Sequence, residues 1–215
     1  MEKKASVRVK ICGLRRPEDI ETVNVLCPDY AGFIVEFPRS FRSVSTEALR
    51  ALTAQLREEI RSVGVFVNAP QELVAGLLND GTISMAQLHG NEDEGYISGL
   101  KKRTDRPLIQ AFSVKTEEDI RRAQESRADY ILLDQGKGGS GKAFDWSLIR
   151  SMNRPFFLAG GIGPENVKDA ILNIKPFAVD LSSSVETDQK KDPKKMKAIM
   201  EIIRNTEPVT NITYK

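Results

Sequence analysis

Histidine occurs once in these 215 residues and cysteine twice. A lone His89 excludes a histidine-rich zinc or di-iron site, which would draw several imidazoles from the chain. Cys12 and Cys27 form neither a disulfide framework nor a CxxC metal spacing, and they fit a reducing cytoplasm. No apolar run approaches the roughly 18 residues of a membrane span. The opening MEKKASVRVK carries charge but no apolar core, so it is not a secretory signal. Neither sign of charge is in excess. A formal net charge of +2, from 32 Lys and Arg against 30 Asp and Glu, argues against a general nucleic-acid surface. Linkers, low-complexity tracts and a second domain are also missing. The expectation is one domain over residues 1–215, with 205–215 as a short C-terminal extension. No contact with membrane or nucleic acid is expected, and the chain is read as a monomer or a homodimer.

What is present is an alternation. Short β-branched runs occupy 7–12, 30–36, 62–68, 83–89, 107–113, 128–134, 155–161 and 177–183. Each is followed by a charged segment of helical period: 17–26, 46–59, 70–79, 93–103, 117–126, 145–151, 164–174 and 192–204. Several of these segments open on Pro or on a Thr or Asp cap, as helices do. Strands that are apolar on both faces and separated by helices belong to a parallel sheet. Eight such units predict closure into an α/β fold of the (βα)8 TIM barrel class. The rival is a doubly wound open sheet, and no GxGxxG follows the first strand to support its commonest dinucleotide-binding form.

A barrel of this kind builds its active site from the carboxyl ends of its strands. The first strand delivers Cys12 under a glycine, and period two places Lys10 on the same lumen side. Lys10 either favours the thiolate or pairs with an interior carboxylate. The fourth strand delivers Gln87 and His89, the latter read as a wall of the site rather than a proton shuttle. The sixth delivers Asp134 after Ile131-Leu132-Leu133. Such a carboxylate is costly to bury unless used, and apolar surroundings raise its pKa toward that of a general acid. The glycines of GKGGSGKAFDW (136–146) follow as a loop over the mouth, with Asp145 as a cap for the next helix. Gly160-Gly161 after the seventh strand and Ser182-Ser183-Ser184 after the eighth offer backbone amides and hydroxyls where barrel enzymes commonly bind phosphate. The ligand expected is a phosphorylated small molecule. Arg39 and Arg42, after the second strand, could grip a carboxylate in bidentate fashion.

In order, the stretches KICGL with RPEDI, GFIVEFPRSFRSVS, VGVFVN, QLHGNEDE, LLDQGKGGSGKAFDW, FLAGGIGPENV and VDLSSSVET with KKD resemble the phosphoribosylanthranilate isomerase family of tryptophan biosynthesis. The resemblance runs from residue 10 to about 192. It implies an Amadori rearrangement without metal or cofactor, with Cys12 as general base and Asp134 as general acid. It further implies that Arg42 holds the anthranilate carboxylate and that Asp180 orients the middle of the substrate. Three departures stand out. The spacing from Gly32 to Arg42 is one residue longer than the family's, which keeps Arg39 in contention. Ser184 replaces a glycine, at a cost of about 1 kcal/mol if the backbone there needs positive φ. Asp188-Gln189 replaces the usual Pro-Gly. Two other functions compete: another phosphosugar aldose–ketose isomerase, usually run by two aspartates, and a non-catalytic phosphometabolite-binding barrel.

Overall fold

The computed structural model describes residues 7–134 and 146–206. Eight parallel strands, Arg8–Cys12, Tyr30–Val35, Arg61–Phe66, Met85–Leu88, Leu108–Ser113, Tyr130–Asp134, Phe156–Leu158 and Ala178–Leu181, pair in chain order. The ring closes because Lys10 lies in register with Tyr30 on one side and with Asp180 on the other. The result is a closed (βα)8 barrel.

Burial falls into two layers. One lies between strands and helices and includes Ile11, Phe33, Leu88, Leu133 and Ile199. The other fills the lumen with Tyr30, Val63, Met85, Ile109, Leu132, Phe157 and Ala178. The rings of Tyr30 and Phe157 meet edge to face at 5.2 Å, an arrangement that suits their quadrupoles. Toward the carboxyl ends the lumen turns polar in steps of two residues: Met85 gives way to Gln87, Leu132 to Asp134, and Ala178 to Asp180. An apolar floor under a polar mouth is thus written directly into the strand period.

The helices begin where capping chemistry allows. Ser45 accepts from the Ala48 amide, Asp93 from Tyr96, and Asp192 from Lys194 just ahead of Pro193. The first helix, Pro17–Leu26, ends on Cys27 in the left-handed conformation. Several expected boundaries shift. The second helix stops at Thr53 rather than continuing to Glu59, because Asn24 staples the segment beyond it, donating to the Gln55 carbonyl and accepting from the Arg57 amide. The seventh is a short α-turn, Val167–Asp169, that widens into a π-turn over Ala170–Ile174. The sixth is a 3-10 helix, Trp146–Ser151. Its expected cap Asp145, nearly all of the 136–146 loop, and the extension beyond Thr206 lie outside the described residues.

Two small elements go beyond the eight units. Ser43–Val44 pairs with the top of the second strand. After the eighth strand, Glu186–Thr187 and Lys190–Lys191 form an antiparallel hairpin. No described helix is long and apolar enough to cross a membrane.

Candidate active site

Cys12 ends the first strand and is buried. Gly13 follows with φ +83°, and the amides of Gly13 and Leu14 both donate to the Gly32 carbonyl. Gly32 is itself opposite Cys12, and a Cβ there would sit 2.9 Å from the sulfur. The missing side chain makes room for the thiol.

Beneath the thiol, Lys10 is wholly buried, and its Nζ donates to both carboxylate oxygens of Asp180, at 3.0 and 2.9 Å. Burial is the largest single influence and would lower the ammonium's pKa, but the Asp180 carboxylate and the Cys12 sulfur together hold Lys10 above the ordinary lysine range, while burial also pushes Asp180 up. Of the two alternatives, Lys10 takes the pairing with an interior carboxylate, and its charge also pulls on the sulfur without reversing the effect of burial. Burial dominates at Cys12 itself and pushes the thiol up, although Lys10 and then Lys191 pull the other way. The resting group is a thiol.

The sixth strand, which carries Asp134, lies three steps round the barrel from the first. Asp134 Oδ1 is buried and has no hydrogen-bond partner among the described residues, while Oδ2 lies 3.9 Å from His89 Nε2. Gln87 Nε2 is 2.8 Å from His89 Nδ1. With the amide nitrogen donating, the ring proton sits on Nε2, toward Asp134. Desolvation lowers the His89 pKa more than the Asp134 charge raises it, although 38% of the side chain is open to solvent. His89 thus stands at the wall of the mouth beside Asp134.

Gly160 and Gly161 have φ of 79° and 70°, values that favour glycine. Asn166 secures their loop, accepting from the Gly163 amide and donating to the Gly161 carbonyl, each at 2.9 Å. Ser182 Oγ donates to the Cys12 carbonyl at 3.2 Å, tying the eighth strand's end to the first. Ser183–Val185 is a 3-10 turn that abuts the Gly163 loop, where a Cβ would lie 3.6 Å from that of Ser184. No loop hydrogen bond between backbone groups of the described residues uses the amides of Gly160 or Gly161, and Ser184 Oγ is buried with no partner among the described residues. Ser184 is not among the residues of positive φ, so the penalty expected for replacing glycine does not arise. Positive φ falls instead on Asp188, at 49°, and Gln189, at 59°. These form the two-residue turn of the hairpin, a geometry that normally recruits Asn-Gly or Asp-Gly.

The two arginines separate clearly. Arg39 is exposed on its loop. Arg42 lies over the end of the first strand, its Cδ 2.5 Å from where a Gly13 Cβ would be. Its Nε and Nη2 donate to the two oxygens of Glu186, at 2.8 and 2.6 Å. Lys191 Nζ donates to the same carboxylate at 2.7 Å and to the Ser182 carbonyl at 3.0 Å. Burial raises the Glu186 pKa, but its bonds from Arg42 and Lys191 outweigh that and hold it below the usual carboxylate range. Neither Glu186 nor Lys191 is picked out by chemistry in the sequence. Their only signal there is the stretch VET with KKD.

Among the described residues no three His, Cys, Asp or Glu side chains converge as a metal site. A cleft of about 600 Å³ opens beside the fifth strand, lined by Gly90, Glu92, Gln110, Phe112, Lys115 and Arg122 among others. It holds none of the residues just described, so the lumen mouth is the candidate site on chemistry rather than on volume.

A family model described as N-(5'phosphoribosyl)anthranilate (PRA) isomerase matches residues 9–202. The N-(5'-phosphoribosyl)anthranilate isomerase of Endomicrobium trichonymphae is 42% identical over 202 residues, 92% of this chain and 98% of that one. Among solved structures, the phosphoribosyl anthranilate isomerase of Thermotoga maritima superposes with a TM-score of 0.82 at 38% identity, over 92% of this chain and 98% of its own. A phosphoribosyl anthranilate isomerase in complex with reduced 1-(o-carboxyphenylamino)-1-deoxyribulose 5-phosphate superposes with a TM-score of 0.80 at 36% identity, with the same coverage.

Proposed function

The chain belongs to the N-(5'-phosphoribosyl)anthranilate isomerase family and is an isomerase of tryptophan biosynthesis, and we propose that Cys12 and Asp134 are the pair that moves its protons. The substrate is a phosphorylated small molecule, and a cytoplasmic location suits an enzyme of such a pathway. Asp134 gives a proton to the furanose ring oxygen. The C1–O bond then breaks as the nitrogen lone pair forms the C1=N bond of a protonated imine. The Cys12 thiolate removes the proton from C2, whose electrons become the C1=C2 bond while the imine pair returns to nitrogen. The enol loses its O–H proton as C1 gains one, leaving the ketone. Nothing is oxidised or reduced overall, and two positioned side chains suffice.

The observation that carries this reading is the placement, at the carboxyl ends of lumen-facing strands, of a buried thiol and of a carboxylate whose buried oxygen has no partner among the described residues. A thiol pushed up by burial is scarce as thiolate at neutral pH, but the thiolate it yields is the stronger base. The rival two-aspartate chemistry would have to use Asp180, whose oxygens are taken by Lys10. In our assignment Asp180 and His89 line the middle of the substrate, and Arg42 rather than exposed Arg39 takes its ring carboxylate. Amides and hydroxyls of Gly160, Gly161, Ser182, Ser183 and Ser184 take the phosphate.

The test uses phosphoribosylanthranilate generated in place, with its fluorescence loss followed. Arg42→Ala raises KM by roughly 10- to 100-fold, the loss of a charge-assisted bidentate contact, while Arg39→Ala leaves KM near the wild-type value. The opposite order refutes the choice of Arg42. Ligand binding without turnover by the wild-type protein supports the non-catalytic barrel instead.

A further inference from the structure

The hairpin after the eighth strand contributes Glu186 and Lys191, two of the three charges in the cluster that contains Arg42, and no step above uses them. Glu186 grips the guanidinium along its side edge, through Nε and one Nη2 proton. The Phe41 ring covers one face, with its centroid 4.2 Å from the central carbon. A guanidinium carries five N–H groups in a rigid plane. Those on Nη1, and the second on Nη2, make no hydrogen bond among the described residues. They form the end edge of the fork, which matches a second carboxylate in bidentate geometry. The charges agree with this. Arg42 and Lys191 with Glu186 sum to one net positive charge, and a substrate carboxylate brings the total to zero.

The hairpin is itself held in place. Arg15 Nη2 donates to the Gln189 carbonyl and Arg16 Nη2 to the Lys191 carbonyl, both at 3.2 Å. Arg16 is fixed in turn by Asp19 through Nε and Nη2, at 3.1 and 2.6 Å. Lys191, only 5% exposed, anchors Glu186 to the Ser182 carbonyl. The chain of contacts runs from the first helix, through the hairpin, to Arg42.

We propose that Glu186 is a positioning residue: held by Lys191, it aims Arg42 so that the end edge of the guanidinium receives the substrate's ring carboxylate, and it stays in place when the substrate binds. This rests on the assignment of Arg42 to that carboxylate. The competing arrangement has Glu186 as a rival occupant of Arg42 that the substrate must displace. The two differ in sign. Loss of a positioning group weakens substrate binding, whereas loss of a competitor strengthens it.

The experiment is a double-mutant cycle on KM and kcat for phosphoribosylanthranilate, with Glu186→Gln and Glu186→Ala each made alone and with Arg42→Ala. Near-isosteric Glu186→Gln guards against a variant that fails to fold. We expect Glu186→Ala to raise KM by roughly tenfold or more through misplacement of Arg42, Glu186→Gln to raise it less, and kcat to change by less than about threefold. In the Arg42→Ala background neither change raises KM further. A fall in KM for either single variant overturns the proposal in favour of competition. Equal losses in both backgrounds overturn it by showing that Glu186 does not act through Arg42. If Arg42→Ala alone leaves KM unchanged, the underlying assignment of Arg42 has failed, and this outcome is distinct from the other two.

Discussion

Lys10 Nζ lies 3.0 and 2.9 Å from the two carboxylate oxygens of Asp180, with no part of the lysine exposed. A buried pair of this kind is weak support for stability as a pair, yet removing one partner strands the other charge. Lys10→Met is therefore expected to cost about 3–5 kcal/mol, and Lys10→Met with Asp180→Leu should recover most of it. Urea unfolding of the two variants checks this. A Lys10→Met protein as stable as wild type would contradict it. The pH dependence has a defined sign. Asp180 and Cys12 together overcome burial to raise Lys10 in the folded state. The lysine's contribution is lost as pH rises through its folded value, above the unfolded pKa of about 10.4, and on the acid side as Asp180, whose own pKa burial raises, takes up a proton.

The thiol above this pair is pushed up by burial, against the pull of Lys10 and Lys191. Alkylation of Cys12 by iodoacetamide, measured in a Cys27→Ser background, should therefore accelerate with a midpoint above the ordinary thiol value of about 8.5. Lys10→Met should move that midpoint higher still, because the stronger of the two opposing cations is gone. A midpoint below 7, as in strongly activated thiols, would show that the cations win over burial.

The hairpin turn carries a local strain. Gln189 sits at φ 59°, a conformation costing a residue with a side chain about 1–2 kcal/mol. Gln189→Gly should raise stability by about 1 kcal/mol, or roughly 2–4 °C in Tm for a chain of this size. Because only the Gln189 carbonyl is used by Arg15, that contact survives the change. A Tm that falls in calorimetry would contradict this.

Much of the barrel is legible because parallel strands covered on both faces must be apolar throughout, and because period two fixes what enters the lumen. Lys10, Cys12, Asp134 and Asp180 follow from that period and from their places on the strands. The first helix is readable at both ends, from Arg16-Pro17 at its start to the break before Cys27. The second is overrun in the sequence because the helical pattern continues past Thr53, and the staple from Asn24 that ends it is a tertiary contact between segments about 30 residues apart. Glu186 and Lys191 escape notice for a different reason. Two-residue strands have no periodicity, and a hairpin turn made of Asp188-Gln189 lacks the glycine that normally announces it. Arg42 and Arg39 look equivalent in one dimension. The close approach of Arg42 to Gly13 and its grip on Glu186, set against the exposure of Arg39, separate them.

The division of labour between Cys12 and Asp134 is tested most directly by separating binding from turnover. Reduced 1-(o-carboxyphenylamino)-1-deoxyribulose 5-phosphate serves as the binding probe, and fluorescence loss of phosphoribosylanthranilate as the measure of turnover. Cys12→Ala and Asp134→Asn should each bind the probe within about threefold of wild type while kcat falls by roughly 10²- to 10⁴-fold, the span of general acid–base catalysis. Turnover within tenfold of wild type in either variant, or probe binding lost as steeply as turnover, would contradict their assignment as base and acid.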